Sequence, residues 1–499
     1  MNFLKLLDGA EYLDERGDPP IAGLDYDSRR VKPGWCFVAM RGEHTDGNRY
    51  IDQAIANGAV AVVSDSVAPS DNVAWAVVPH GRRALARLSA NFYRHPAEKL
   101  HITGITGTNG KTTTSFILSR MLRAAGRKIA LVGTVEYRIG DETYPAPHTT
   151  PEALELNQLF ANAVQAGCTE GVMEVSSHAL EQQRTFGIPV EVALFTNLTR
   201  DHLDFHGTME NYFLSKTILF KGLGVEPPRS VVINIEDEYG KRLVELCKKR
   251  HEVITYGIDS GDFHAADLKI SANGCGFKLV SPLGEIPIWS PLLGRVNVYN
   301  LVAAAAAAYA RDVEPNAISE AADQIAHVAG RFQRLDLGQP FTVIVDYAHT
   351  DDALRNLTAV ARDFVHQRGG PGRVITVFGC GGDRDRAKRP MMGEAAGNGS
   401  DFVVLTSDNP RSEDPLAIIN DALPGLQRTG VRYTLEPDRR KAIELALHEA
   451  EAGDIVLIAG KGHEKYQETR NGTVSFDDME VARKALQQAG YAVAHPVQS

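Results

Sequence analysis

Leu100-His101-Ile102-Thr103-Gly104-Ile105-Thr106-Gly107-Thr108-Asn109-Gly110-Lys111-Thr112-Thr113 reads as an extended apolar segment that ends in a glycine-rich loop and opens a helix. Glycines let backbone N–H groups turn toward a polyphosphate, Lys111 brings a point charge to the outer phosphates, and a threonine hydroxyl at this place can ligate Mg²⁺. Ile117, Leu118, Met121 and Leu122 share one helical face, so the helix can dock behind the loop. Strand, loop, lysine and helix in this order make a nucleotide the first ligand to expect. The loop departs from the general phosphate-loop pattern once: Ile105 stands where a glycine is usual, and the glycine is at Gly107 instead.

Further along, apolar runs at 128–135, 171–175, 192–196 and 230–235 are separated by helix-length stretches. Such alternation predicts a mostly parallel sheet covered on both faces. Residues 1–97 interleave short β-type runs (35–40, 59–63) with helical patterns, as a small α/β module would. After residue 332 four more apolar runs recur, at 341–345, 373–378, 401–405 and 454–458. The expectation is an α/β chain of three domains: 1–97, a central nucleotide-binding domain 98–332 on a P-loop-type, mostly parallel sheet, and a Rossmann-like C-terminal domain 333–499. Residues 303–308, all alanine, fall in a helical stretch and read as close helix packing on small side chains.

A chain of 499 residues, 43% hydrophobic, exceeds what one core fills, which agrees with several domains. Its formal charge of -10 argues against general affinity for nucleic acid or anionic membrane, so anionic ligands need local basic pockets. Cys36, Cys168, Cys247, Cys275 and Cys380 are scattered without a C-x-x-C pair, which suits a reducing compartment and buried apolar roles rather than a sulfur-ligated metal. No signal peptide and no run of about 20 apolar residues is present, and a cytoplasmic monomer is expected. The basic clusters Lys248-Lys249-Arg250 and Arg439-Arg440-Lys441 are short and read as solvated faces.

Each of the four C-terminal runs leads into a charged loop: Asp346-Tyr347-Ala348-His349, Gly381-Gly382-Asp383-Arg384-Asp385-Arg386, Asp408-Asn409-Pro410-Arg411 and Gly460-Lys461-Gly462-His463-Glu464. Ligands of open parallel sheets bind beyond the carboxyl ends of the strands, so four such loops predict one shared site. In the middle segment, Glu174-Val175-Ser176-Ser177-His178 and Thr199-Arg200-Asp201-His202-Leu203-Asp204 end two runs and offer oxygen and imidazole ligands for Mg²⁺. By spacing alone His202 is an ordinary loop histidine, and the His202/His206 pair lacks the glutamate and third ligand of a zinc site. An enzyme and a nucleotide-switched binding protein both remain open on these features.

Segments 107–113, 174–178 and 199–204, Gly294-Arg295-Val296-Asn297, Gly330-Arg331, 346–350 and 460–464 stand in the order and approximate spacing of the ATP-dependent Mur ligases, and the resemblance spans the whole chain. Within that family it is similar to the branch that adds the third residue to the peptide of UDP-N-acetylmuramoyl-L-alanyl-D-glutamate. The Mur-type loop also accounts for Ile105. The resemblance implies that ATP phosphorylates the γ-carboxylate of D-glutamate and that an incoming amine displaces phosphate from the acyl phosphate. No enzyme nucleophile is needed, and alignment and charge stabilisation are the protein's task. It places the loop residues Gly107, Thr108, Asn109, Gly110, Lys111, Thr112 and Thr113 on ATP, with Asn297 and Asn300 near the adenine and Arg331 and Asp346 at the hinge and ribose. It places Thr112, Glu174 and His202 at two Mg²⁺ ions.

Lys216 by itself reads as a solvated helix lysine; the resemblance makes it the lysine that forms a carbamate (N6-carboxylysine) and so becomes an oxygen ligand. Contacts to the UDP-sugar carry over to Tyr26, Asp27-Ser28-Arg29 and Glu43-His44-Thr45, and those to the peptide end to Thr149, Thr150, Ser176, Gln182 and Arg184. Asp408-Asn409-Pro410-Arg411 resembles the motif of relatives that use meso-diaminopimelate, whose second carboxylate a guanidinium can hold bidentately. Arg384, Gly460 and Glu464 match the remaining contacts to that amino acid. One mismatch is Asp351, where the family loop has proline, which puts the rigidity of that loop in question. A folate polyglutamate ligase would share the chemistry but not the nucleotide-sugar residues or Arg411. Closure of the domains on ATP is expected, because the nucleotide loop and the amino-acid loops lie on different domains.

Overall fold

The computed structural model describes residues 1–42, 45–66, 72–271, 273–325, 328–369 and 371–491. Its centre is an eight-stranded sheet in which His101–Thr106 lies between Glu170–Glu174 and Val192–Phe195. Beyond Val192–Phe195 come Ser230–Asn234 and Glu252–Tyr256, and beyond Glu170–Glu174 comes Ile129–Val132, all parallel. Side chains alternate across the strands, so Val192 and Leu194 enter one core and Ala193 and Phe195 the other. Helix Lys111–Ala124 and helix Arg295–Tyr309 share the first of these cores. All of the alanines 303–308 are at most 1% exposed, and their small side chains let that helix lie close to its neighbours.

The C-terminal sheet runs in the order Gln333–Leu335, Thr342–Asp346, Ile455–Ala459, Val374–Cys380, Phe402–Ser407, Arg432–Leu435, parallel except for the first. The chain leaves Thr342–Asp346, skips a place to form Val374–Cys380, and returns at the end to fill the gap with Ile455–Ala459. That reversal is a topological switch point, and the loops of 346–349, 381–386, 408–411 and 460–464 all open from the carboxyl ends around it. The N-terminal sheet has five strands, four of them parallel. Strand boundaries differ from the sequence expectation by one to three residues. Among the elements not anticipated are the antiparallel hairpin Glu136–Ile139/Glu142–Pro145 at the central sheet's edge, the meander His264–Ser271, Gly274–Ser281, Gly284–Ser290 and the hairpin Tyr466–Thr469/Gly472–Ser475. Glu136–Ile139 and Gly284–Ser290 alternate in burial and Glu142–Pro145 is exposed throughout, patterns that in sequence blend into loop.

One expectation is corrected. Lys248, Lys249 and Arg250 are exposed, and so are Arg440 and Lys441, but Arg439 is 2% exposed. Its Nε and Nη2 donate to Asp478 Oδ1 (2.8 Å) and Oδ2 (2.7 Å), Nη2 also to Ala459 O (3.0 Å), and Nη1 to Ser407 O (3.3 Å). The guanidinium therefore ties together the ends of the two strands that launch the 408–411 and 460–464 loops. Asp478 lies 39 residues away in sequence, beyond any local reading. All five cysteines are free and buried.

Removing one partner of such a pair leaves an uncompensated charge in the core. Asp478→Ala is expected to lower stability by about 3–5 kcal/mol in a urea titration. A loss below about 1 kcal/mol would show that Arg439 does not hold these strand ends.

Candidate active site

The strand His101–Thr106 delivers the glycine loop to the N-terminus of helix Lys111–Ala124, as the sequence implied. Gly107 has φ +143, and a Cβ there would lie 1.9 Å from Thr196 Oγ1, so only glycine fits. Gly107 O accepts from two lysines, Lys111 Nζ (2.9 Å) and Lys216 Nζ (2.9 Å), and Lys111 also donates to Thr108 O (2.8 Å). Lys216 is not the solvated lysine its local sequence suggests: it is 2% exposed, with Nζ 4.5 Å from the centre of the Tyr212 ring. Burial, then the neighbouring Lys111, holds Lys216 well below the ordinary lysine range. Burial, with Arg331 adding to it, likewise lowers Lys111.

Glu174 is fully buried at the end of its strand. It accepts from Thr112 Oγ1 (2.9 Å), Thr134 N (2.9 Å) and Thr134 Oγ1 (2.9 Å). The hydroxyl of Thr112 and the carboxylate of Glu174 thus form a cluster of hard oxygen donors directly behind the phosphate loop, a set suited to Mg²⁺. His202 has φ +53 and sits among the rings of His178 and Tyr212. Burial depresses its pKa to about 3, against the pull of Asp201. His206 belongs to the same ring cluster: its ring stacks on Tyr212 and lies 5.6 Å from that of His178, and its Nε2 lies 2.9 Å from Ser177 Oγ. Burial would raise Asp201, but His202, His349 and Lys388 together hold its carboxyl well below the usual range.

A cavity of about 500 Å³ opens between the phosphate loop and the C-terminal domain, within the size range of small-molecule sites. Residues 108–113, His202, Asn297, Asn300, Arg331 and Asp346 line it, with Thr149 and Ser176 at one end. Asn300 Nδ2 donates to Asn297 Oδ1 (3.0 Å), while Arg331 donates to Thr112 Oγ1 (3.2 Å) and lies over the Tyr347 ring. Asp346 takes Phe332 N (2.6 Å) and Ala348 N (2.8 Å) on its two oxygens, and burial raises its pKa. Sequence reasoning missed Glu236 and Tyr299 on this lining. Nothing in their local pattern marks them, because they come from a turn and a helix face that meet only in the fold.

The four C-terminal loops do not share one cavity as expected. Only 346–349 lines it; the other three cluster beside it on the same sheet. There Asn409 Nδ2 donates to Glu464 Oε2 (2.9 Å), and Lys461 Nζ bridges Asn409 Oδ1 (2.9 Å) and Glu464 Oε2 (2.9 Å). Arg411, at φ +51, pairs through Nε with Glu468 Oε2 (2.8 Å) and donates from Nη1 to Gly382 O (2.8 Å). A Cβ on Gly460 would meet Asp408 Oδ2 at 2.4 Å, so these loops approach closely only through a glycine. Arg384 is exposed and donates to Asp383 O, and Pro410 O caps Glu413 N. Asp351 leaves no slack in place of proline: Thr350 Oγ1 caps the helix Asp351–Arg368 at Ala353 N (3.1 Å), and Asp351 pairs with Arg355.

Around Glu174 a polar ladder holds the peptide-end residues together. Thr150 Oγ1 donates to Glu174 O (2.8 Å) and accepts from Ser176 N (3.1 Å), Arg184 donates to Thr150 O (3.0 Å) and Gln182 Oε1 (2.7 Å), and Thr149 meets Thr134 (3.0 Å). Tyr26, Ser28 and Thr45 lie apart, on the N-terminal domain. Tyr26 OH donates to Glu155 (2.9 Å) of the central domain, Ser28 to Gln53 (2.9 Å), and Thr45 Oγ1 sits 3.3 Å from Tyr50 OH. Glu43 and His44 fall outside the described residues. The central and C-terminal domains meet across the cavity mouth through Lys388–Asp201 (3.3 Å), Arg200–Asp385 (3.3 Å) and Asn109–Asp352 (2.8 Å).

Comparison with known proteins agrees with this arrangement. The Mur ligase middle domain matches residues 105–308, the Mur ligase glutamate ligase domain 330–462, and the Mur ligase family catalytic domain 20–93. A protein of Solibacter usitatus named UDP-N-acetylmuramoyl-L-alanyl-D-glutamate--2,6-diaminopimelate ligase is 51% identical over 96% of this chain and 96% of its own length. One of the same name from Geobacillus thermodenitrificans is 46% identical over 95% and 96%. A solved structure with that name is 36% identical, with a TM-score of 0.66 over 95% of this chain and 96% of the other.

His463, its ring 5.2 Å from that of Tyr347 and tilted against it, has its pKa lowered from 6.5 to about 4 by burial and then by Arg331. The unfolded chain therefore binds more protons between these values, and stability falls as pH drops from 6.5 toward 4. His463→Gln is expected to remove a pH-dependent loss on the order of 1–3 kcal/mol over that range, read by denaturant titration at each pH. An unchanged pH slope would place the imidazole in water.

Proposed function

The chain belongs to the Mur ligase family, and on that premise we propose that it is an ATP-dependent, ADP-forming amide ligase joining meso-diaminopimelate to the γ-carboxylate of D-glutamate in UDP-N-acetylmuramoyl-L-alanyl-D-glutamate, a step of peptidoglycan precursor synthesis in the cytoplasm. One observation carries the reading: a lysine-bearing phosphate loop and a cluster holding Arg384, Arg411 and Glu464 lie on two domains that meet at one cavity. ATP can be held on one wall and an amino acid with a second carboxylate beside the other. Residues 1–97, 98–332 and 333–499 take the UDP-sugar, the nucleotide and the amino acid respectively.

Three requirements of the reaction map onto side chains. Lys111 and the loop N–H groups offset charge on the transferring phosphate, and the fixed dipoles of the loop need no reorganisation as that charge moves. Asn297 and Asn300 line the nucleotide end, and Arg331 orients Thr112 through its hydrogen bond. Glu464, held by Asn409 and Lys461, suits an ammonium of the incoming amino acid, and Arg411, oriented by Glu468, suits its distal carboxylate.

Thr112, Glu174 and His202 would hold Mg²⁺, which when bound neutralises phosphate charge. Lys216 would complete the set as a carbamate, a carboxylate-like oxygen ligand. Its neutral amine adds to CO₂, forming an N–C bond and losing a proton, and the resulting carbamate is anionic. An ammonium at Lys216 would be repelled by Lys111, with which it shares Gly107 O, whereas an anion there would attract Lys111. That exchange of repulsion for attraction favours the modified form.

Lys216→Ala is expected to lower kcat on the order of 100-fold, with partial recovery on adding short carboxylates; full activity without them would reject the carbamate. An amino-acid panel with ATP and the UDP-muramoyl dipeptide, scoring ADP against AMP, tests the whole reading. ADP formation with diaminopimelate preferred over lysine is expected, whereas AMP would mean an adenylate and overturn the acyl phosphate. In the same assay Arg411→Ala should raise KM for diaminopimelate on the order of 10- to 1000-fold, the loss of a charge-assisted pair. An unchanged KM removes Arg411 from the site.

A further inference from the structure

The phosphate loop is completed from outside its own domain. Asn109, at its crest between two glycines, has a backbone pinned locally: its N–H donates to Asn197 Oδ1 (2.9 Å), and its carbonyl accepts from Thr196 Oγ1 (2.7 Å) and Asn197 Nδ2 (3.1 Å). The side chain is held differently. Nδ2 carries two protons; one points to Thr199 Oγ1 at 3.3 Å, and the other reaches Asp352 Oδ2 of the C-terminal domain at 2.8 Å. The shorter of the two bonds is therefore the one that crosses between domains.

Asp352 is well placed to act as a fixed acceptor. It is the second residue of the 18-residue helix Asp351–Arg368, whose free N-terminal N–H groups favour a carboxylate in the first turn. Thr350 caps that turn and Asp351 ties it to Arg355, so the backbone carrying Asp352 is rigid. Further along the same helix face, Asn356, Leu357 and Val360 wall the cavity, and Val360 closes against Gly294, where a Cβ would come within 2.6 Å of it. The helix thus spans the cavity from the phosphate loop to the start of the adenine-side helix, and Asp352 is its contact at the phosphate end. The loops with Arg384, Arg411 and Glu464 lie elsewhere on the domain.

We propose that Asp352 is a positioning residue for phosphoryl transfer: by accepting from Nδ2 of Asn109 it fixes that side chain at the crest of the phosphate loop only when the C-terminal domain is docked. Arrival of the amino-acid domain is thereby coupled to alignment of ATP. The proposal rests on the ligase reading for its reaction but on the Asn109–Asp352 contact for its geometry.

The test is a double-mutant cycle on the full chain, with steady-state ADP formation from ATP, UDP-muramoyl dipeptide and meso-diaminopimelate. Asp352→Ala is expected to lower kcat/KM for ATP on the order of 10- to 100-fold, the loss of a hydrogen bond to a charged group, with KM for diaminopimelate within about twofold of wild type. Asn109→Ala should lose as much, and the double variant no more than either. Asp352→Asn keeps an acceptor oxygen and should recover most of the loss, which a merely unfolded variant would not allow. Losses that multiply in the double variant, an Asp352→Ala enzyme within about twofold of wild type, or an Asp352→Asn enzyme as poor as the alanine variant would overturn the proposal. A wild-type chain that forms no ADP from these substrates would sink the ligase reading instead. Calorimetric titration of a non-hydrolysable ATP analogue with Mg²⁺ into the same variants then decides the Asn109–Asp352 coupling: equal, non-additive weakening supports it and additive weakening rejects it.

Discussion

Charge withdrawn from water must meet its opposite, and around the phosphate loop that requirement is distributed over two domains. Lys111 and Lys216 converge on one carbonyl, Glu174 is sealed beneath them by three donors, and Asp201 is flanked by His202, His349 and Lys388. Of these partners, His349 and Lys388 belong to the C-terminal domain. Docking of that domain is therefore part of the electrostatics of the nucleotide site, because without it a buried aspartate would lose two of its three counter-groups.

The rest of the architecture serves to hold strand ends where such partners can meet. Alternating residues of the central strands fill two cores, so the sheet cannot slip by one residue without reversing every side chain. In the C-terminal domain Arg439 does the corresponding work with hydrogen bonds, gripping the ends of two strands and Asp478 at once. The loops that follow can then be short, charged and close together without collapsing onto each other. Their crowding is visible at Gly460, beside Asp408, and in the Asn409–Lys461–Glu464 triangle.

An arrangement of this kind suits a ligation in which two unstable events must coincide. An acyl phosphate left in water hydrolyses, and an amine without it does nothing. Under the proposed function, placing the phosphate loop and the loops proposed to hold the amine on separate domains lets chemistry wait for assembly, with cross-domain contacts such as Asn109–Asp352 marking the assembled state. The N-terminal domain joins through Tyr26, Arg30 and Arg82 to Glu155 and Glu152, so it too is tethered to the central domain by hydrogen bonds and ion pairs.

Much of this was legible from residues 100–113 onward. Apolar runs of strand length between helical stretches are enough to call parallel sheets, since burial on both faces demands continuous hydrophobicity, and a lysine after glycines at a strand end can be read as a phosphate loop. Glu174 and Arg411 stand in loops that the strand ends pick out, whereas His202 by spacing alone is an ordinary loop histidine and Asn297 and Arg331 enter only through the family resemblance. The sequence could not say that Lys216 is buried, that Arg439 leaves a run of solvated basic residues to pair with Asp478, that His206 packs against Ser177 and Tyr212, or that three of the four C-terminal loops stand beside the cavity rather than in it. The edge hairpin and the meander escaped because their many exposed positions read like loop. What the chain determined alone was what each segment prefers over a few residues, through periodicity, propensity and turn chemistry. Tertiary structure decided which charges lose water and which partners they then find, because desolvation and pairing depend on distances in space between residues tens to hundreds of positions apart.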